Sequence, residues 1–359
     1  MKLVIKYKLE NIIFLTFFVF INIFLLKDLF KTHQTYQEFT IYLITILIFI
    51  CIFFIIKRNF KIKFFKSNYN ILYFFCSIFF YFLILYFINY EKNNITSFYW
   101  LAFKFLSIII VIFCINLNFK EKFFLSYINL LFYLTLFSLF YYFLAITNII
   151  NFKYGFIVYD SVRTLRLGSL CGEPSVYSFL LTIGIILTIE KRNYFKCFFF
   201  IIAGALTYSN LFIIFMIITT LFKFKKYLLF ILPIVLIIGY YFFFKDLSFG
   251  RFSYSHLFVR LNHIIELILN SNLYLGNGLY SLFNVEGAWI SGGGIGKLIH
   301  DLGVFPFILI LFIAFITLIK IDSDFNRLLF IICMLNILLQ DTYSSIFQYT
   351  FLIYALQKN

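Results

Sequence analysis

Apolar runs near the length of a membrane-crossing helix recur along the chain, and they leave few ways for it to fold. They lie at 11–26, 39–56, 69–88, 98–117, 123–147, 175–189, 227–244 and 304–319. A helix needs about 20 residues, within a range of roughly 17–25, to cross a hydrocarbon core about 30 Å thick. Hydrocarbon offers no partner to a backbone N–H or C=O, so a spanning segment satisfies these groups internally, as a helix does. The composition agrees: 63% of the 359 residues are hydrophobic and only 13% charged. A soluble domain is nearer 45–50% apolar and about 25% charged, so a water-soluble fold around one core is excluded. Disorder is excluded by the same excess of apolar surface. The expected fold is an all-α polytopic membrane protein, with residues 1–359 forming a single integral membrane domain.

Two further apolar stretches, 197–222 and 328–356, are interrupted by polar residues near their middles. In one the interruption is Thr207-Tyr208-Ser209-Asn210; in the other it is Gln340-Asp341-Thr342-Tyr343-Ser344-Ser345. Each is either one span or a hairpin of two short helices, which gives about 10–12 transmembrane segments. Halves of about 12–13 residues reach only about 18–20 Å and need burial among other helices. Loop 57–66 carries Lys57, Arg58, Lys61, Lys63 and Lys66 with no acid, which places it in the cytoplasm. With both stretches as hairpins, the inner segments hold 19 Lys/Arg and the outer ones 10. Both termini are then cytoplasmic, and the two longest loops, 148–174 and 245–303, share the outer side. One site can then draw on both. Lys2, Lys6 and Lys8 precede the first apolar run, which ends in Leu26-Lys27-Asp28 without a small-residue cleavage site. An uncleaved first span is expected.

The net charge of +15 is therefore a sidedness signal and does not call for a nucleic-acid partner. The six cysteines include no CxxC pair and no His/Cys cluster at metal-ligand spacing, so neither a metal nor another cofactor is expected.

Unusual residues gather in the outer loops. Four of the seven arginines lie there: Arg163, Arg166, Arg251 and Arg260. Lysine suffices to orient a membrane protein, whereas the planar fork of arginine suits phosphate or carboxylate. Nine of the fifteen glycines lie between Gly250 and Gly303, and none precedes Gly155. The first 150 residues thus read as scaffold. In the first outer loop, Arg163 and Arg166 lead through Gly168 and Gly172 to Glu173-Pro174-Ser175. Pro174 suits the first turn of the next span, and Glu173 sits at the positive end of that helix dipole. A helix cap with arginines gripping lipid headgroups is the plainer alternative.

In the second outer loop, residues 255–269 form an amphipathic helix candidate. His256, Arg260 and His263 make one stripe, and Leu257, Leu261, Ile264, Ile265 and Ile268 the apolar side. The helix is expected to lie on the bilayer, with its polar stripe either solvated or touching ligand. The glycine clusters Gly276-Asn277-Gly278 and Gly292-Gly293-Gly294-Ile295-Gly296 lack the GK[ST] of a nucleotide loop, and a flexible lid is expected there. His300-Asp301 stands just before the span 304–319.

Many spans, the order Arg163-x-x-Arg166-x-Gly168-x-x-x-Gly172-Glu173-Pro174-Ser175 and Thr207-Tyr208-Ser209 between short helices resemble the O-antigen polymerase and O-antigen ligase superfamily. The later order Arg260, Asn272-Leu273-Tyr274-Leu275-Gly276-Asn277-Gly278, then His300-Asp301-Leu302-Gly303, is similar as well. The resemblance covers roughly residues 160–315. It implies a membrane-embedded, metal-independent glycosyltransferase at the outer face of the bacterial cytoplasmic (inner) membrane, acting on glycans linked to undecaprenyl diphosphate. A polymerase of this kind joins such repeat units into O-antigen or capsule-like polysaccharide. A ligase moves the finished glycan to lipid A-core. The resemblance also implies membrane lipids, a chain-length regulator and a flippase as partners.

Carried over by position, Arg163 or Arg166, with Arg260, matches the outer-loop arginines thought to hold the diphosphate. His300 matches the vicinity of a histidine proposed for ligases, although Asp301 follows it where ligases more often have Asn or Ser. Arg251 and His263 join the substrate-binding candidates. Arginines can stabilise the charge that develops on the departing diphosphate. Glu173 is the first choice to accept the proton of the attacking hydroxyl, and His300 the second. From another class, a lipid-linked oligosaccharide flippase or transporter would carry ionisable groups within its spans. Lys104 is nearly alone in such a position.

Overall fold

The computed structural model describes residues 117–149, 158–160, 165–169, 174–223 and 293–339, with isolated positions at 80, 81, 84, 87, 262, 265, 269, 274, 276, 351, 352 and 354–356. These residues are mainly helical. The described residues fall into two compact units, one ending at Ile213 and one starting at Ile214, with residues 62–115 belonging to the second.

In the first unit, α1 (Leu117–Ile146) is followed by β1 (Val158–Asp160) and β2 (Leu165–Leu167). Then come α2 (Pro174–Glu190), α3 (Tyr194–Leu206) and the start of α4 (Asn210–Lys223). Spans expected at 123–147 and 175–189 correspond to α1 and α2. Within α1, Phe124–Ile146 is long and apolar enough to cross a membrane. Its buried face carries hydroxyls while its exposed face is aromatic. Thr135, Ser138 and Tyr142 are buried together with Tyr127 and Leu131, whereas Tyr133, Phe137, Phe140 and Phe143 are exposed. In water such an aromatic face would oppose solubility.

Hydroxyl groups join α1 to α2. Tyr127 Oη donates to the Leu180 carbonyl at 2.7 Å, and Thr135 Oγ1 lies 3.0 Å from Tyr177 Oη. Gly184 marks where α1, α2 and α3 converge. A Cβ there would lie 2.6 Å from Leu131 and 3.0 Å from Phe200. At the other end of α1, Glu121 pairs with Lys191 at 2.8 Å. Lys196 bonds Asn129 and stands 5.3 Å above the Phe132 ring. The turn between α2 and α3 is closed by Asn193, whose side chain accepts from Lys196 N.

The interrupted stretch 197–222 is two helices, of 13 and 14 residues. Tyr208 has φ 45°, a left-handed conformation that a helix interior cannot absorb. Thr207 Oγ1 donates to the Gly204 carbonyl at 2.6 Å and accepts from Ser209 N at 3.3 Å. Side chain and backbone together therefore stop the helix where the polar run begins.

In the second unit, α5 (Gly293–Leu302), α6 (Val304–Lys320) and α7 (Asp324–Leu339) follow one another closely. The apolar run at 304–319 forms α6, a helix of 17 residues. None of its residues is buried, and Phe305, Ile308, Phe312, Phe315 and Ile319 are all exposed. Helix α7 begins the stretch 328–356, and described positions from 351 to 356 are helical. The polar interruption at 340–345 lies outside the described residues, as do the runs 11–26, 39–56 and 227–244 and, apart from Leu117, the run 98–117. Of the run 69–88, Phe80, Tyr81, Ile84 and Phe87 are described and helical.

Two expectations are corrected here. The loop 148–174 contains an antiparallel hairpin with register Val158↔Leu167, Tyr159↔Arg166 and Asp160↔Leu165. The glycine cluster expected as a lid is helical from Gly293 onward. Its glycines occupy the first turn, where N–H groups lack intrahelical partners in any case. Gly296 is buried, so at that position a small residue serves packing.

Candidate functional site

Of the residues singled out in loop 148–174, Arg166 leads to one polar cluster. Strand β2 presents Arg166 opposite Tyr159, and its guanidinium crosses to the break between α3 and α4. Nε donates to the Thr207 carbonyl at 3.0 Å, and Nη2 to the Tyr208 carbonyl at 3.3 Å. Thr207 caps the C-terminus of α3, the negative end of its dipole, so a fixed cation is well matched to that carbonyl.

Hydroxyls complete the cluster. Tyr142 Oη donates to the Leu165 carbonyl at 3.1 Å, which ties β2 to α1. Ser138 Oγ lies 2.6 Å from Ser169 Oγ. Ser178 Oγ contacts Ser209 Oγ at 3.2 Å and the Ser175 carbonyl at 2.6 Å. Ser138, Ser169, Ser178, Thr207 and Ser209 are all buried. Ser169 takes φ 55°, a strained backbone for a non-glycine residue, and its hydroxyl bond to Ser138 fixes it there.

The loop therefore reaches back along α1 from its C-terminal end. Ser138 is eight residues short of Ile146, which is about 12 Å of helix. Pro174 begins α2, as its fixed φ favours. Glu173 immediately before it, and Arg163 between the two strands in sequence, lie outside the described residues.

In the second unit the structure gathers a different set. Gly303 has φ 89° and Gly276 φ 75°, and the two backbones touch. A Cβ on Gly276 would lie 2.4 Å from the Asp301 carbonyl oxygen, and one on Gly303 2.5 Å from the Tyr274 carbonyl oxygen. Only glycine meets both the conformation and the spacing. The Tyr274 and Phe305 rings stack at 5.8 Å beside this crossing. Tyr81 Oη donates to the Leu302 carbonyl at 2.9 Å, at the end of α5. In that last turn His300 and Asp301 are both buried, with His300 Nδ1 3.2 Å from Asp301 Oδ1.

Arg251, Arg260 and His263 lie outside the described residues, as does His256. Within the amphipathic stretch 255–269, Asn262, Ile265 and Leu269 are described, helical and exposed. Sequence reasoning missed the hydroxyls of Ser138, Tyr142, Ser169 and Ser178. A signal for two of them was present: Thr135, Ser138 and Tyr142 recur at i, i+3 and i+7, one stripe of an otherwise apolar helix.

No protein-family model, curated protein or solved structure matches the chain.

Proposed function

We propose that the chain is a multi-pass enzyme of the bacterial cytoplasmic membrane, with about 10–12 spans and both termini in the cytoplasm. It polymerises undecaprenyl-diphosphate-linked repeat units into O-antigen or capsule-like polysaccharide at the outer face. The observation that carries this reading is the contact of Arg166 with the Thr207 and Tyr208 carbonyls. Two separate parts of the polymerase-like pattern, the arginine motif and the Thr-Tyr-Ser break, come together in one cluster. The contact of Gly276 with the 301–303 backbone joins a second such pair.

In this reading the outer-loop arginines hold the diphosphate and stabilise the charge on the departing oxygen. Arg166 directs two of its N–H groups at carbonyls and anchors the loop, so diphosphate binding falls chiefly to Arg163, Arg251 and Arg260. His263 lies on the same polar stripe as Arg260. Glu173 or His300 takes the proton from the attacking hydroxyl. The Arg166 contact also weighs against a transporter. Discontinuous helices in transporters turn such carbonyls toward a coupling ion, whereas here a guanidinium occupies them.

Deletion of the gene with profiling of surface glycan tests the proposal. A polymerase predicts single repeat units in place of long chains. Retained polymer that never reaches the lipid A-core indicates a ligase, and repeat units held inside indicate a flippase. Arg260→Ala with full polymerisation overturns the binding role, and Glu173→Gln at normal activity removes Glu173 as base.

A further inference from the structure

The pair at the end of α5 has a geometry that helical spacing does not supply. Successive helix residues point about 100° apart and ordinarily do not face one another. Yet His300 Nδ1 and Asp301 Oδ1 are 3.2 Å apart, with side chains only 7% and 1% exposed. The turn that carries them is held from two directions. Gly276 presses against the Asp301 and Leu302 backbone, and Tyr81 bonds the Leu302 carbonyl.

We infer that Asp301 is the positioning residue of His300: its carboxylate fixes the ring so that Nδ1 carries the proton and Nε2 is the basic atom. A carboxylate can only accept a hydrogen bond, so the nitrogen facing it must donate, and a neutral imidazole then has its lone pair on the other nitrogen. A buried carboxylate needs such a partner, and a buried imidazole aimed by one is pre-oriented for proton transfer. Use of Nε2 to take the proton of an acceptor hydroxyl rests on the polymerase reading; the tautomer does not. No covalent bond forms at either residue. The proton moves from hydroxyl to Nε2 as the hydroxyl oxygen attacks the sugar carbon and undecaprenyl diphosphate departs with the bonding pair.

The test is nitrogen NMR on the full chain, labelled with isotopic histidine and reconstituted in lipid bilayers at mildly alkaline pH. The chain has four histidines, and a His300→Gln sample identifies the His300 signal. The expected result is a proton on Nδ1 alone in the unmodified protein, with a change of tautomer in Asp301→Leu. A proton on Nε2 in the unmodified protein, alone or with Nδ1, overturns the inference whether or not the leucine variant folds. In cells, His300→Gln and Asp301→Asn are expected to lower long-chain glycan at least tenfold at equal protein level, with Asp301→Glu recovering part of it. If the gene deletion leaves long-chain glycan unchanged, the polymerase reading fails while the NMR result still decides the role of Asp301. If polymerisation is lost on deletion but His300 shows the other tautomer, the inference fails and Glu173 remains the base.

Discussion

Both units fasten a loop to the end of a helix, but they use different chemistry. In the first, side chains make the attachment. Arg166 reaches the carbonyls after α3, Tyr142 bonds the Leu165 carbonyl, and Ser138 and Ser178 bond the hydroxyls of Ser169 and Ser209. In the second, backbone lies directly on backbone where Gly276 meets Gly303. Side-chain attachments can be weakened one bond at a time. A backbone crossing at van der Waals distance admits no partial loss, because any Cβ must displace a main chain.

The largest effect is therefore expected in the second unit. Gly303→Ala places a methyl group at φ 89° against the Tyr274 carbonyl. It should lower stability by about 3–5 kcal/mol, read as a drop in the unfolding midpoint of the purified protein in detergent. A variant of unchanged midpoint would show that the crossing is not tight. Arg166→Ala should come next, at about 2–3 kcal/mol, because it strips charge-assisted donors from two carbonyls. Arg166→Lys should recover part of this, since lysine keeps the charge without the fork. Equal stability of all three proteins would remove Arg166 as the anchor of the break.

Ser138→Ala should cost about 1 kcal/mol, the net worth of one hydrogen bond to Ser169. A substantially greater loss would mean that the left-handed backbone at Ser169 depends on that bond alone. The smallest effect belongs to Lys191 and Glu121, an ion pair with Glu121 largely in solvent. A double-mutant cycle should give a coupling below about 1 kcal/mol. Strong coupling there would contradict the ranking of buried hydroxyls above exposed charges.

The same contrast explains what the sequence made legible. The apolar runs at 123–147, 175–189 and 304–319 could be read as helical because apolar length is a strong signal, and they correspond to α1, α2 and α6; of these, α1 is long enough to cross a membrane. The break at Thr207-Tyr208-Ser209-Asn210 could be read because four polar residues interrupt an apolar run. The hairpin at 158–167 could not. Strands of three residues, Val158-Tyr159-Asp160 and Leu165-Arg166-Leu167, are too short to show alternation. The glycine cluster at 292–296 suggested mobility, because composition alone does not distinguish a lid from a helix whose first turn needs small residues. At Arg166 the sequence marked a residue of consequence, but its partners are backbone carbonyls 41 and 42 positions away. No local pattern encodes such a contact.

The most direct test of the central proposal is reconstitution. Purified protein in liposomes is given undecaprenyl-diphosphate-linked repeat units in the presence of a metal chelator, and the products are sized. The account predicts a ladder of glycans longer than one repeat, with undecaprenyl diphosphate released at each addition. Repeat units recovered at their original length, with the protein folded and inserted, would contradict it.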